Sequence, residues 1–219
     1  MRHKQNRPLT NECPLGPALQ KYWDRLSAIE RKMKLDAEAL YSLVIQESAV
    51  ATALKTPGNH IIDPFCGAGG TAIGYARAGK TVTAIELDPV RLEMAKYNAA
   101  LFGVADKIEF IQGDALEIWP RVSADVVFLS PPWGGPSYSK MELFTLDHFV
   151  PSGHKLLTLA DRLKMNVVMQ LPRNFDFNEF KKFSWDVAIS EDRVEGHLLS
   201  YTAVLSRQSK NLSEGPFHP

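Results

Sequence analysis

An α/β fold is what this sequence predicts: a mostly parallel seven-stranded sheet with helices on both faces, preceded by a helical extension. Three observations carry that expectation. From residue 60 onward, short apolar runs alternate with amphipathic stretches, the pattern of strands joined by right-handed crossovers. The run Asp125-Val126-Val127-Phe128-Leu129 is apolar without alternation, as a strand covered on both faces must be. A glycine-rich loop separates the first strand from the following helix, where open parallel sheets receive ligands.

The elements follow in order. Residues 1–16 are polar, basic and interrupted by Pro8, Pro14 and Gly16, so they read as a flexible arm. Leu19, Tyr22, Trp23, Leu26 and Ile29 recur at helical spacing and predict a helix from Pro17 to Met33. Asp36 can cap a second helix running through Leu40 and Leu43 to about Leu54. Residues 17–56 thus form a helical extension, closed by the breaker Thr56-Pro57-Gly58-Asn59.

The core spans 57–209. Its first strand is His60–Asp63, followed by a helix through Ile73, Tyr75 and Ala76 that Gly79 closes. Thr81–Ile85 is the second strand, ending at Glu86. Asp88-Pro89 starts a helix to about Phe102, with proline at the tolerated first turn. Lys107–Ile111 and Asp125–Leu129 are the third and fourth strands, and Phe149–Leu163 is a helix. Strands at Asn166–Leu171, Trp185–Ser190 and Leu198–Leu205 complete the sheet, and 210–219 read as a disordered tail. Trp23, Trp119 and Trp185 fall on periodic apolar segments and are expected in the core.

Composition narrows the function. Lys+Arg and Asp+Glu each number 25, which opposes a grip on long nucleic acid through many phosphates. Two cysteines exclude a disulfide scaffold and suit a reducing compartment. No run of about 18 apolar residues is available to span a membrane, and the N-terminus lacks the apolar core of a signal peptide. A nuclear or cytosolic protein without a membrane partner is expected. The histidines show no metal-ligand spacing, so no metal is expected. Cys66 reads as a small residue packed under its loop rather than a nucleophile.

Asp63-Pro64-Phe65-Cys66-Gly67-Ala68-Gly69-Gly70 is the ligand loop. Glycines there allow close backbone approach. Gly67-x-Gly69-x-x-Ala72 fits a dinucleotide fingerprint, with Glu86 near the ribose-binding distance. NAD(P) and S-adenosyl-L-methionine therefore compete. Asp63 would repel a pyrophosphate but attract the ammonium of a methionine moiety. Glu86 can hold two ribose hydroxyls, and Asp114 can accept from an adenine amine. Three such groups at successive strand ends favour S-adenosylmethionine.

Ser130-Pro131-Pro132-Trp133-Gly134-Gly135-Pro136 follows the buried fourth strand. Consecutive prolines fix φ and remove backbone donors, leaving carbonyls as acceptors. The Ser130 hydroxyl and Pro131 carbonyl can face an exocyclic amine, and the Trp133 indole offers a plane for a flat base.

With these segments, together with Glu86-Leu87-Asp88-Pro89, the stretch 105–114 and Leu171-Pro172-Arg173-Asn174, the sequence resembles class I S-adenosylmethionine-dependent amino-methyltransferases. It is most similar to the trimethylguanosine synthase family of RNA-cap guanine-N2 methyltransferases, over about residues 21–205. The resemblance implies a Rossmann-like core and transfer of methyl groups to N2 of the 7-methylguanosine cap, giving 2,7-dimethyl- and 2,2,7-trimethylguanosine. It implies that Asp63, Phe65, Gly67, Gly69, Glu86, Asp114, Ser130 and Ser42 contact the cofactor. Ser130 and Pro131 would orient N2, and Trp133 would stack on the base. Lys34, Arg173 and Asn174 would bind the cap beyond it, Lys34 and Arg173 through phosphate. The helical extension would cover the site.

Implied partners are capped snRNA, snoRNA and telomerase RNA, with Sm or snoRNP proteins delivering them. A monomer in the nucleus (nucleolus or Cajal body), with a cytoplasmic pool, is expected. Other amino-methyltransferases, acting on tRNA, rRNA or DNA bases, are the alternative, and an NAD(P) oxidoreductase is the next. The zero net charge itself divides: residues 1–34 carry +5, and the remainder carries −5. A basic N-terminal segment joined to an acidic body suits a pocket for one cationic base and its phosphates.

Overall fold

The computed structural model describes Leu9, residues 15–194 and residues 196–207. Most of the expected basic arm and all of the tail 210–219 lie outside the described residues. Seven strands form one sheet: β1 (His60–Asp63), β2 (Thr81–Glu86), β3 (Ile108–Gln112), β4 (Val126–Leu129), β5 (Asn166–Leu171), β6 (Trp185–Val194) and β7 (His197–Arg207). Their order is β3-β2-β1-β4-β5-β7-β6. Only β7 runs against its neighbours, pairing antiparallel with β5 and β6. The order reverses between β1 and β4, and a crevice opens there at the carboxyl ends of the strands.

Alternation along each strand divides the core. Ile61, Ala84, Val126, Phe128 and Val168 pack on one face. Ile62, Ile85, Val127, Leu129 and Val167 pack on the other. The first face is covered by α3 (Gln46–Lys55), α4 (Gly70–Arg77) and α5 (Pro89–Leu101), and the second by α7 (Gly153–Arg162) and the fully buried Trp119. Period-two burial on both faces is what makes these strands read as unbroken apolar runs. Trp119 and Trp185 are core residues, and Trp23 packs partly buried against the core.

The helical extension departs from expectation in two places. Instead of one helix over 17–33, α1 covers Pro17–Trp23, and Glu30–Lys32 form a separate short turn. Glu30 explains the break. One of its carboxylate oxygens accepts from the backbone N–H and hydroxyl of Ser27. The other accepts from Gln46 N at 2.7 Å, capping α3. A side chain that must satisfy the start of a distant helix leaves its own helical run. Instead of one helix over 36–54, α2 (Ala37–Ser42) and α3 are separated at Leu43 and Ile45, whose ψ values of 124° and 148° are extended. Asp36 caps α2 as expected, accepting from Ala39 N at 2.7 Å. α7 starts at Gly153 rather than near Phe149: Phe149 and Ser152 have extended ψ values of 152° and 133°, and Pro151 biases the residue before it away from helix. A four-residue helix, α6 (Ala115–Ile118), was not expected, and Asp114 caps it.

Among the contacts that fasten the extension to the core, three stand out. Asn98 of α5, fully buried, accepts from Lys34 N at 2.7 Å and donates to Lys34 O and Ala68 O. Arg91 Nε meets the buried Asp36 carboxylate at 2.9 Å. α3 also lies on α4 so closely that a Cβ on Gly74 would stand 2.3 Å from the Ala49 Cβ. Gly74→Ala should therefore lower unfolding stability by about 1–3 kcal/mol, measured by urea denaturation; an unchanged midpoint would contradict this packing.

Candidate active site

A cavity of about 1420 Å³ runs along the carboxyl ends of the strands, beneath α1 and α2. Sheet register brings its walls together. β1 delivers Asp63, β2 delivers Glu86, the turn after β3 delivers Asp114, and β4 leads directly into Ser130. Asp63, Phe65, Gly67, Glu86, Asp114, Ser130, Pro131, Trp133, Arg173 and Ser42 all line this one space.

Asp63 is 1% exposed, and its carboxylate accepts from Phe65 N at 3.3 Å. Burial pushes its carboxyl up to about 7, against that hydrogen bond and helped by the neighbouring Glu86. Such a group regains its charge when a cation enters the cavity. Glu86 is also raised by burial, opposed by two backbone donors. Gly67 N donates to one of its oxygens at 2.9 Å, and Asp88 N to the other at 2.8 Å. Both oxygens are thereby fixed toward a diol. Gly70 lets the extension close over the loop, since a Cβ there would stand 2.6 Å from Leu43 Cδ1. A buried acid suited to an ammonium, a braced acid suited to a ribose and a glycine cradle fit the donor set S-adenosylmethionine requires.

The second half of the site is aromatic and polar. Trp133 packs its ring edge-to-face with Tyr138 at 5.1 Å, and Tyr138 leans in turn on Phe144. The indole N–H of Trp133 is buried and unpartnered. Ser130 Oγ donates to Gln170 Oε1 at 2.9 Å. From the extension, Tyr41 reaches over this loop, its hydroxyl 3.3 Å from where a Gly135 Cβ would be. Burial, with Glu38 nearby, pushes the Tyr41 phenol up to about 12, so it remains a donor. Burial also raises the Cys66 thiol well above its ordinary value, which suits a packed side chain and not a thiolate.

Three expected site residues lie elsewhere. Gly69 takes φ +87° at the start of α4 and does not line the cavity; it turns the chain beside Ala95. Lys34 is exposed, with its ammonium 4.0 Å over the Tyr97 ring on α5, away from the cavity lining. Asn174 is a brace: its amide donates to Met141 O at 2.8 Å and Tyr138 O at 3.3 Å, holding the loop that carries Tyr138.

Other residues entered the wall without being expected. Lys21 and Arg25 flank the Tyr22 ring at 4.9 and 5.5 Å and face the cavity with it. Their i, i+4 spacing was the available signal. Gln170 and Asp192 also line it. Gln170 interrupts the apolar run Val167–Leu171, and that interruption was the signal for it.

The Asp63 shift has a consequence for stability. Between about pH 4 and about 7 the folded chain keeps a proton that the unfolded chain has released. Stability therefore falls as pH rises through that window and stays lowered above it. Asp63→Asn should stabilise the ligand-free protein at pH 8 by on the order of 2 kcal/mol and change it little at pH 4. Equal effects at the two pH values in thermal denaturation would contradict the burial of this charge.

Comparison with known proteins agrees with this geometry. Residues 58–215 match the family model described as RNA cap guanine-N2 methyltransferase. Trimethylguanosine synthase of Schizosaccharomyces pombe is 35% identical over 187 residues, covering 78% of this chain and 78% of that protein. Trimethylguanosine synthase of Saccharomyces cerevisiae is 34% identical over 129 residues, covering 56% of this chain and 41% of that protein. A methyltransferase structure from Geobacter sulfurreducens superposes with a TM-score of 0.56 at 17% identity, covering 90% and 92% of the two chains. A putative methyltransferase from Porphyromonas gingivalis gives 0.64 at 14% identity, covering 90% of this chain and 52% of the other. These two likenesses establish the sheet and its order as a methyltransferase fold. With the family match spanning nearly the whole core and a third of positions shared with a relative of similar extent, the chain belongs to the RNA cap guanine-N2 methyltransferase family, S-adenosylmethionine-dependent enzymes that methylate N2 of the cap guanosine.

Proposed function

We propose that this enzyme acts on the 7-methylguanosine cap of small nuclear and small nucleolar RNA, telomerase RNA included, as a nuclear monomer. Sm or snoRNP proteins would present the RNA. The observation that carries the site reading is the convergence of Ser130, Pro131, Trp133 and Arg173 on the cavity that Asp63 and Glu86 enclose.

S-adenosylmethionine would supply the methyl group from its sulfonium, the neutral thioether being the leaving group, and Asp63 and Glu86 would hold it. The remaining work is alignment. The Ser130 hydroxyl oxygen and the Pro131 carbonyl accept the two hydrogens of the guanine amine, turning its lone pair to the methyl. The displaced amine proton leaves to water, so no strong general base is required. Trp133 covers the base, braced by Tyr138 at its edge. A 7-methylguanine is cationic, and its stacking on indole gains a cation–π contribution of about 0.5–2 kcal/mol. Arg173 is exposed at the rim and placed to take phosphate oxygens bidentately. Lys21 and Arg25, which line the same cavity, would add positive charge in place of Lys34.

Trp133→Ala should lower kcat/KM for capped dinucleotide at least ~100-fold, with S-adenosylmethionine affinity held within a few-fold; surviving methylation would remove the stacking role. A cap lacking the N7 methyl should be turned over far more slowly, and equal rates would end the cation–π account. Arg173→Ala should raise KM for capped dinucleotide by about tenfold while hardly changing KM for 7-methylguanosine without phosphates. Equal effects on the two would displace Arg173 from the phosphates.

A further inference from the structure

Beneath the catalytic loop, a line of polar side chains crosses the sheet from Ser130 to Asp192. Register puts them together. Leu129 pairs with Met169, so Ser130 follows beside Gln170. Gln170 pairs with Thr202 across β5 and β7, and Asp192 pairs with Ser200 across β6 and β7. A register shift between Asp192 and Arg193 interrupts β6 at this point, as bulges do where a side chain is re-aimed. None of these groups beyond Ser130 figures in the methyl-transfer chemistry.

The hydrogen bonds form one chain with a direction. Asp192 accepts from Ser200 Oγ at 2.8 Å and from Thr202 Oγ1 at 3.0 and 3.1 Å. Burial raises the Asp192 carboxyl and its two hydroxyl donors oppose that rise; ionised, it only accepts, and the single hydroxyl hydrogen of Ser200 is then committed to it. Ser200 Oγ can then only accept from Gln170, which fixes Gln170 Nε2 toward it, at 3.4 Å. Gln170 Oε1 is thereby turned to Ser130, whose hydroxyl donates to it at 2.9 Å. The Ser130 hydrogen points away from the substrate, and its lone pairs face the cavity.

We propose that Asp192, acting through Ser200 and Gln170, is a positioning residue that holds the Ser130 hydroxyl as an acceptor for the guanine amine. Reversing the chain would aim the Ser130 hydrogen at the amine, donor against donor. The proposal rests on the reading of Ser130 as an amine acceptor given above.

The test is a double-mutant cycle on kcat with capped dinucleotide. Ser130→Ala should lower kcat by about tenfold. Asp192→Asn, whose amide can donate to Ser200 and reverse the chain, should lower kcat by at least fivefold while KM for the cap and affinity for S-adenosylhomocysteine stay within twofold. In the Ser130→Ala background the same Asp192→Asn change should cost less than twofold. Ser200→Ala, which leaves Asp192 bonded to Thr202, should show the same dependence on Ser130 and serves if Asp192→Asn folds poorly. Equal kcat losses in both backgrounds would make Asp192 purely structural and overturn the proposal, as would full activity of Asp192→Asn and Ser200→Ala. An unimpaired Ser130→Ala would instead overturn the amine-acceptor reading on which it stands.

Discussion

A carboxylate taken out of water is costly unless something compensates it, and in this fold Asp63 is buried at the end of β1 with a second acid, Glu86, beside it. Strand register fixes both acids, since β1 and β2 are parallel neighbours in which Asp63 pairs with Ala84, two residues before Glu86. Removing either from water penalises its charge by several kcal/mol, and their proximity adds to that penalty. The site is thus electrostatically incomplete until a cationic ligand enters. A sulfonium with an ammonium answers that need, whereas a dinucleotide pyrophosphate would make it worse. The choice between the two cofactors, open from the loop alone, follows from this charge.

The helical extension serves the same constraint from above. It contributes Tyr22, Tyr41 and Leu43 to the lining of the cavity that holds Asp63 and Glu86. Its position is set by polar contacts that reach far along the chain: Glu30 to Gln46, Asn98 to Lys34 and Ala68, and Arg91 to Asp36. Asn98 and Arg91 both belong to α5, the helix that starts three residues after Glu86. One helix thus anchors the extension and follows directly on the strand that carries Glu86.

Most of the sheet was legible in the sequence because its signals are local. Apolar strands with both faces covered, the Asp88-Pro89 helix start and the Gly79 stop depend on residues within one turn of one another. Asn166–Leu171 is reproduced residue for residue. The extension was less legible because its breaks arise from partners far off in the chain. Nothing near Glu30 announces that its carboxylate caps a helix beginning at Gln46. Likewise Lys34 and Asn174 stand beside functional motifs, but a ring on α5 and two backbone carbonyls engage them instead. The polar line from Ser130 to Asp192 required knowing that β7 enters between β5 and β6, which makes neighbours of residues on three strands.

With its carboxyl pushed up to about 7, Asp63 is largely protonated in the free enzyme at pH 6 and ionises when the cationic cofactor binds. Calorimetric titration of S-adenosylmethionine at pH 6, in buffers of different ionisation enthalpy, counts the protons exchanged. The intact enzyme should release close to one proton and Asp63→Asn none. Binding by the intact enzyme without proton release would contradict it.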